Sequence, residues 1–220
     1  MRHFSIVILL IILSFVSVCL PSFSAIKGKV HYSIPVDYSK LNEQELELKA
    51  RKFFFNAERI SGNSLNEDLT KALMLYNMLQ SVNPDNIEYP IKTGILYDKI
   101  NKEKLAKGNF SRAIGIDKNN PKTYFYFGEF YYKRQLYKQA LKYYAKSYEL
   151  GYHTNYNLLF KLGDIYEKFG DSRSALRYLY EAQKQSPNQE LDEKINRIKN
   201  FDMINKEYYS DTRIRKFETP

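Results

Sequence analysis

The chain has 220 residues, of which 44% are hydrophobic and 27% charged, enough apolar mass for one domain with a sizeable core and too much for disorder. Its formal net charge is +9. No nucleic-acid-binding module accompanies that charge, so the basic balance is read as a surface property and not as nucleic-acid recognition. The sole cysteine, Cys19, excludes an intrachain disulfide and a cysteine-based zinc site.

The first 25 residues form a distinct segment. Arg2 gives a positive start, Phe4 to Leu20 run apolar, Pro21 breaks any helix, and Ser22, Ser24 and Ala25 offer small residues for cleavage. That order is the pattern of a secretory signal peptide over 1–25. Two alternatives stay open: retention of residues 4–20 as a membrane anchor, or lipid attachment at Cys19. Residues 26–40 contain Pro35 and no helical apolar period, and read as a linker.

A helical body is expected over 41–207, followed by a tail at 208–220. Its first unit (42–86) has a first helix from Asn42 to Ile60, opened by a capping box of Asn42 and Glu45. Ser64 and Glu67 suggest a second such box before a helix at Leu69–Val82.

From here the chain repeats itself. Gly94, Gly128 and Gly163 are followed at matching offsets by Tyr97, Tyr131 and Tyr166, by Ala106, Ala140 and Ala175, and by Phe110, Tyr144 and Leu179. Ala113, Ser147 and Ala182 continue the register. Each copy holds two apolar-periodic stretches joined by a short polar turn, so units at 87–120, 121–154 and 156–189 are expected to be helical hairpins. Glycine and alanine recur where two helix axes must approach closely. Gly170 suits a left-handed residue ending one helix, and Asp171 a cap for the next. Asn120–Pro121 and Ser186–Pro187 open helices, with Gln189 completing a capping box. A capping helix over 190–207 is expected from Leu191, Ile195, Ile198 and Phe201.

The stretch Leu159–Pro187 resembles a tetratricopeptide repeat along its whole length, with Leu162, Gly163, Tyr166, Ala175, Ala182 and Pro187 at the signature positions. Tyr124–Leu150 is similar, with Ser147 in place of a signature alanine. Ile87–Asn120 departs more, at Pro90 and Thr93. The resemblance implies an all-α, right-handed helical-hairpin solenoid with a C-terminal capping helix.

Nothing in the sequence supplies catalytic machinery. His31 and His153 lack carboxylate or cysteine partners at a useful spacing, and no GxSxG, HExxH or phosphate-cradling loop occurs. No catalytic residue, metal ligand or cofactor site is assigned. Binding is the alternative. The second stripe of each unit's first helix is expected to face the inner curve, placing Ile91, Lys122, Phe125, Glu129, Tyr132, Asn157, Phe160 and Asp164 in a groove for a protein or peptide partner. Ile91, Phe125 and Phe160 would form an apolar ladder there, unless the chain's own ends fill it or it is buried between repeats. The lysine and asparagine pattern by which some family members grip a terminal carboxylate is absent: those places hold Ile91, Ile95, Phe125, Tyr126 and Glu129. Lys138, Lys142 and Lys146 share one helix face, read as solvated outer surface or as a docking face for an anionic membrane or partner. The sequence reading is a non-enzymatic scaffold of the bacterial cell envelope, exported to the periplasm or held near the membrane. A structural subunit of a membrane-attached assembly is the second reading, and an enzyme acting on envelope polymers the third.

Overall fold

The computed structural model describes residues 37–59, 66–201 and 203. Contacts divide the chain between Asp37 and Tyr38. Only Asp37 of the first unit is described, and every described helix belongs to the second. The expected signal segment, residues 26–36 of the linker and the tail at 208–220 lie outside the described residues.

Among the described residues there are nine α-helices and no strand. In chain order they are α1 (Glu43–Arg59), α2 (Glu67–Val82), α3 (Glu88–Lys99), α4 (Glu103–Ile116), α5 (Pro121–Lys133), α6 (Tyr137–Ser147), α7 (Tyr156–Lys168), α8 (Ser172–Gln185) and α9 at 189–201. Helices pack most closely as the hairpins α1–α2, α3–α4, α5–α6 and α7–α8, each also touching the next, with α9 closing the array.

The helix starts follow from local side-chain chemistry. Asn42 and Glu45 cap α1 reciprocally, at 3.0 and 3.1 Å. Asn120 and Asn155 accept the Thr123 and Leu158 amides, and Asp171 accepts that of Ser174. Two expected caps are corrected. At α2 the acceptor is Asn66, 2.8 Å from the Leu69 amide, and Ser64 is outside the described residues. At α9 the acceptor is Asn188, which holds the Leu191 amide at 2.9 Å. An asparagine nearer the first buried residue wins at both ends, because the cap must reach the N2 or N3 amide. The turn inside each repeated hairpin is left-handed at the same register, at Asn101 (φ 57°), Gln135 (φ 58°) and Gly170 (φ 76°).

The repeated glycines sit against the large residue sixteen positions later in their own hairpins. A Cβ on Gly94 would lie 2.9 Å from the Phe110 ring, and one on Gly163 2.6 Å from Leu179; the fit of Gly128 to Tyr144 is closer still. Two helix axes are drawn together there, and the second helix drops one large side chain into the gap. Between hairpins the interior is continuous. Phe110, Phe127 and Phe130 form a middle cluster. Ile95 and Tyr97 join it to the core of α1–α3, and Tyr126 and Tyr131 join it to the core of α5–α9.

Candidate functional site

The first helices of successive hairpins lie side by side, stitched by polar contacts along one face. Lys99 donates to the Glu58 carbonyl (3.1 Å), and Lys122 faces Glu88 (3.5 Å). Asp98 is gripped by Lys133 (3.0 Å) and Arg134 (2.6 Å). The Tyr132 hydroxyl donates to Asp164. Asp164 also takes Lys194 of α9 (2.8 Å), and Arg197 binds Glu167 (2.7 Å). The second helices α4, α6 and α8 form the outer layer.

The expected groove residues divide into three groups on this face. Ile91 is 0% exposed and Phe125 8%, so neither rung is open to a partner. This corrects the apolar ladder, and for Phe125 the reason is packing within its own unit. Phe125 lies against Tyr126, Tyr144 and Tyr152, with ring centroids 5.3–6.0 Å apart, and Ile91 is enclosed. The second group is half-buried and engaged: Glu129 accepts the Tyr144 hydroxyl, and Tyr132 carries Lys161 over its ring at 4.0 Å. The third group retains access. Lys122 and Asn157 are exposed, and Phe160 is half-buried, stacked on Tyr156 (6.0 Å).

Phe160 and Asp164 line a depression of about 520 Å³ closed on its far side by Glu190, Glu193, Lys194 and Arg197 of α9. The capping helix therefore occupies the place of a next unit's first helix. Burial pushes the Asp164 carboxyl up, but hydrogen bonds from Lys194 and Tyr132 outweigh it and hold the group below the usual carboxylate range. Glu167 follows the same balance with Lys194 and Arg197. For Lys194, burial pulls the ammonium down, and the two carboxylates more than restore it. These charges are satisfied by one another, so this end is an assembled joint.

A second depression lies at the other end, across α1, α2, α3 and α5, and also measures about 520 Å³. Phe54, Phe55, Tyr76 and Tyr89 supply its apolar wall, and Glu47, Arg51, Glu58, Glu88, Lys92 and Lys122 its charged wall. Phe55 is 58% exposed, and Lys92 covers the face of Phe54 at 4.3 Å. Of this site the sequence reading named Lys122 alone. The first unit lacks the repeated glycine, so the register could not be carried onto α1. The available signal was the run Phe53-Phe54-Phe55, since three consecutive residues of a helix cannot all face one core.

Among the described residues no cluster of metal-ligating side chains occurs, and no described helix is long and apolar enough to cross a membrane.

No family model matches the chain. A TPR repeat-containing protein of Methanocaldococcus jannaschii is 30% identical over 146 residues, covering 63% of this chain. The chain spans 26% of the length of that curated relative. Among solved structures, pilF of Pseudomonas aeruginosa matches with a TM-score of 0.61 at 14% identity, over 77% of this chain and 75% of that one. A MamA structure matches with a TM-score of 0.56 at 17% identity, over 81% and 96%. The internal period, the hairpin packing and these likenesses agree, and the described body has the fold of a tetratricopeptide-repeat solenoid.

Proposed function

We propose that the chain is a non-enzymatic interaction scaffold that holds a protein or peptide partner on the inner face, at the depression across α1, α2, α3 and α5. The observation that carries this reading is Phe55, a large ring left mostly in water at the edge of the depression, whose other rings, Phe54, Tyr76 and Tyr89, are buried. An exposed aromatic in a charged rim is the usual composition of a binding hot spot. Acidic and basic groups alternate around it, which favours a partner segment of mixed charge over a terminal carboxylate alone. The likeness to a TPR repeat-containing protein supports an interaction role over a catalytic one.

The proposed setting is the cell envelope. It is supported by the order of residues 1–25, a positive start, an apolar run and small residues. Cell fractionation with an antibody to the body tests the setting independently of the groove.

The groove is tested with a photo-crosslinking residue at position 55, compared with one at Arg112 on the outer layer. Position 55 is expected to capture a discrete partner in native cells. Phe55→Glu should then weaken binding of that partner by roughly tenfold or more while leaving the melting temperature unchanged. A stable Phe55→Glu chain that retains its partner at full affinity refutes the assignment.

A further inference from the structure

The positive charge of this protein is not spread evenly over its surface. Helices α4, α6 and α8 carry nine lysines and arginines against two carboxylates, Glu103 and Glu181. The other helices balance: α1 has four of each sign, α3 and α7 two of each, and α9 three of each, while a surplus carboxylate on α2 offsets a surplus lysine on α5. A chain of net charge +9 thus concentrates a surplus of seven on the outer layer of three successive hairpins.

The repeat orders these charges into a grid. Lys104, Lys138 and Arg173 occupy one register position in three units, Lys142 and Arg177 a second, and Arg112 and Lys146 a third. All seven are exposed. Along each helix the rows fall four or eight residues apart, on one face. Of the two carboxylates, Glu103 binds Arg134 (2.9 Å), while Glu181 stands at the third register position in the last unit, accepts the Tyr148 hydroxyl (3.0 Å) and offsets one charge of the grid. Within the grid, Lys146 has a partner in Glu149 (3.3 Å). The remaining six form no ion pair with a described residue. Like charges at this spacing disfavour a helix, so the grid is not explained by folding.

We infer that this outer layer is a docking surface for an anionic lipid bilayer. Arg173, Arg177 and Tyr180 border a depression of about 540 Å³ at one end, but the charges extend across three neighbouring helices, which suits a plane of phosphate headgroups better than a single acidic side chain seated in that depression. Leu105 and Tyr180 project from the same helices, 49% and 39% exposed, as apolar and amphipathic side chains that enter an interface. Retention of residues 4–20 as an anchor, one of the readings of that segment, would add a second signal of the same kind, and stable attachment takes two. The surface is separate from the inner face, so it stands whether or not the groove binds a partner there.

The test uses the full chain with vesicles of phosphatidylcholine alone or containing a third phosphatidylglycerol, in a flotation assay. Any binding through residues 4–20 is common to both vesicle types, and the grid supplies the phosphatidylglycerol-dependent increment. That increment should vanish in about 0.5 M salt, and should fall about tenfold or more in the triple variant K138E/K142E/R177E. The milder K138Q/K142Q/R177Q should lie between, and the control K49E/K52E on α1 should behave as the parent. Melting curves taken in parallel identify any variant that fails to fold, in which case the glutamine series decides. Equal binding to both vesicle types, or an intact increment in the folded variants, overturns the inference. So does tighter binding to duplex DNA than to anionic vesicles at the same salt.

Discussion

At Gly163 an added side chain meets Leu179 at 2.6 Å and the Ala175 carbonyl at 3.3 Å, whereas a Cβ on Gly108 in α4 meets nothing within 4 Å. The two glycines are therefore expected to respond oppositely. Gly163→Leu should destabilise by about 1–3 kcal/mol or more, because it forces α7 and α8 apart. Gly108→Ala should stabilise by about 0.5–1 kcal/mol, by raising helix propensity at a position with open space around it. Urea unfolding of both variants checks the pair, and equal midpoints would show that the close approach is not real. The contacts of Gly94, Gly128 and Gly163 were readable because period and partner recur together. The environment of Phe125 was not. Its register places it on the inner stripe, but the neighbouring Tyr126, Tyr144 and Tyr152 close over it, and no spacing rule reports how far a neighbouring ring reaches.

Between elements, the separation of core from surface gives two further expectations. Phe125→Ala should cost about 3 kcal/mol or more, the usual penalty for emptying a buried aromatic site. Phe160→Ala, half-buried under Lys194, should cost clearly less. Denaturant midpoints of the two single variants check this, and a Phe125→Ala chain as stable as the parent would return that ring to the open face. The joint of α9 to α7 adds a pH dependence. Asp164 and Glu167 are held below the usual carboxylate range by their cations, so their contribution is complete above the ordinary carboxylate value of about 4 and is lost as pH falls through the lower folded value. Lys194 is shifted up, and its contribution is lost only in strong alkali, above the ordinary lysine value of about 10.4. Hydrogen exchange between about pH 4 and 2 should show amides at 189–201 losing protection relative to those of α5 and α7. Uniform loss across all helices would show that the joint carries no separate pH response. The existence of a closing helix was legible in Leu191, Ile195 and Ile198, which are buried, whereas Phe201 of the same series is 63% exposed at the helix end. Its locking by Lys194 and Arg197 was not, because those partners lie some thirty residues away.

For the whole molecule, a period of 34 and 35 residues implied a solenoid from the sequence alone. It also tied the class of each repeated position to a place in the hairpin. It reached α2, where Ala72 and Tyr76 stand 34 residues before Ala106 and Phe110 and are buried as they are, but not α1, which packs against α2 without the glycine that marks the register. The depression beside the exposed Phe55 lies there. A repeat detects what is shared between units, and a site that differs from unit to unit is invisible to it by construction. The same architecture has a consequence for communication. The interior passes from one end to the other through a middle cluster of three phenylalanines, entered by Ile95 and Tyr97 on one side and left by Tyr126 and Tyr131 on the other. A partner that wedges α1 and α3 apart perturbs the first pair directly. Closely packed rings leave little room to compress, and the cluster abuts α5 and α6, where α6 carries the row Lys138, Lys142 and Lys146 on its outer face. The packed route between the mouth of the groove and the back of the molecule thus runs through this one cluster.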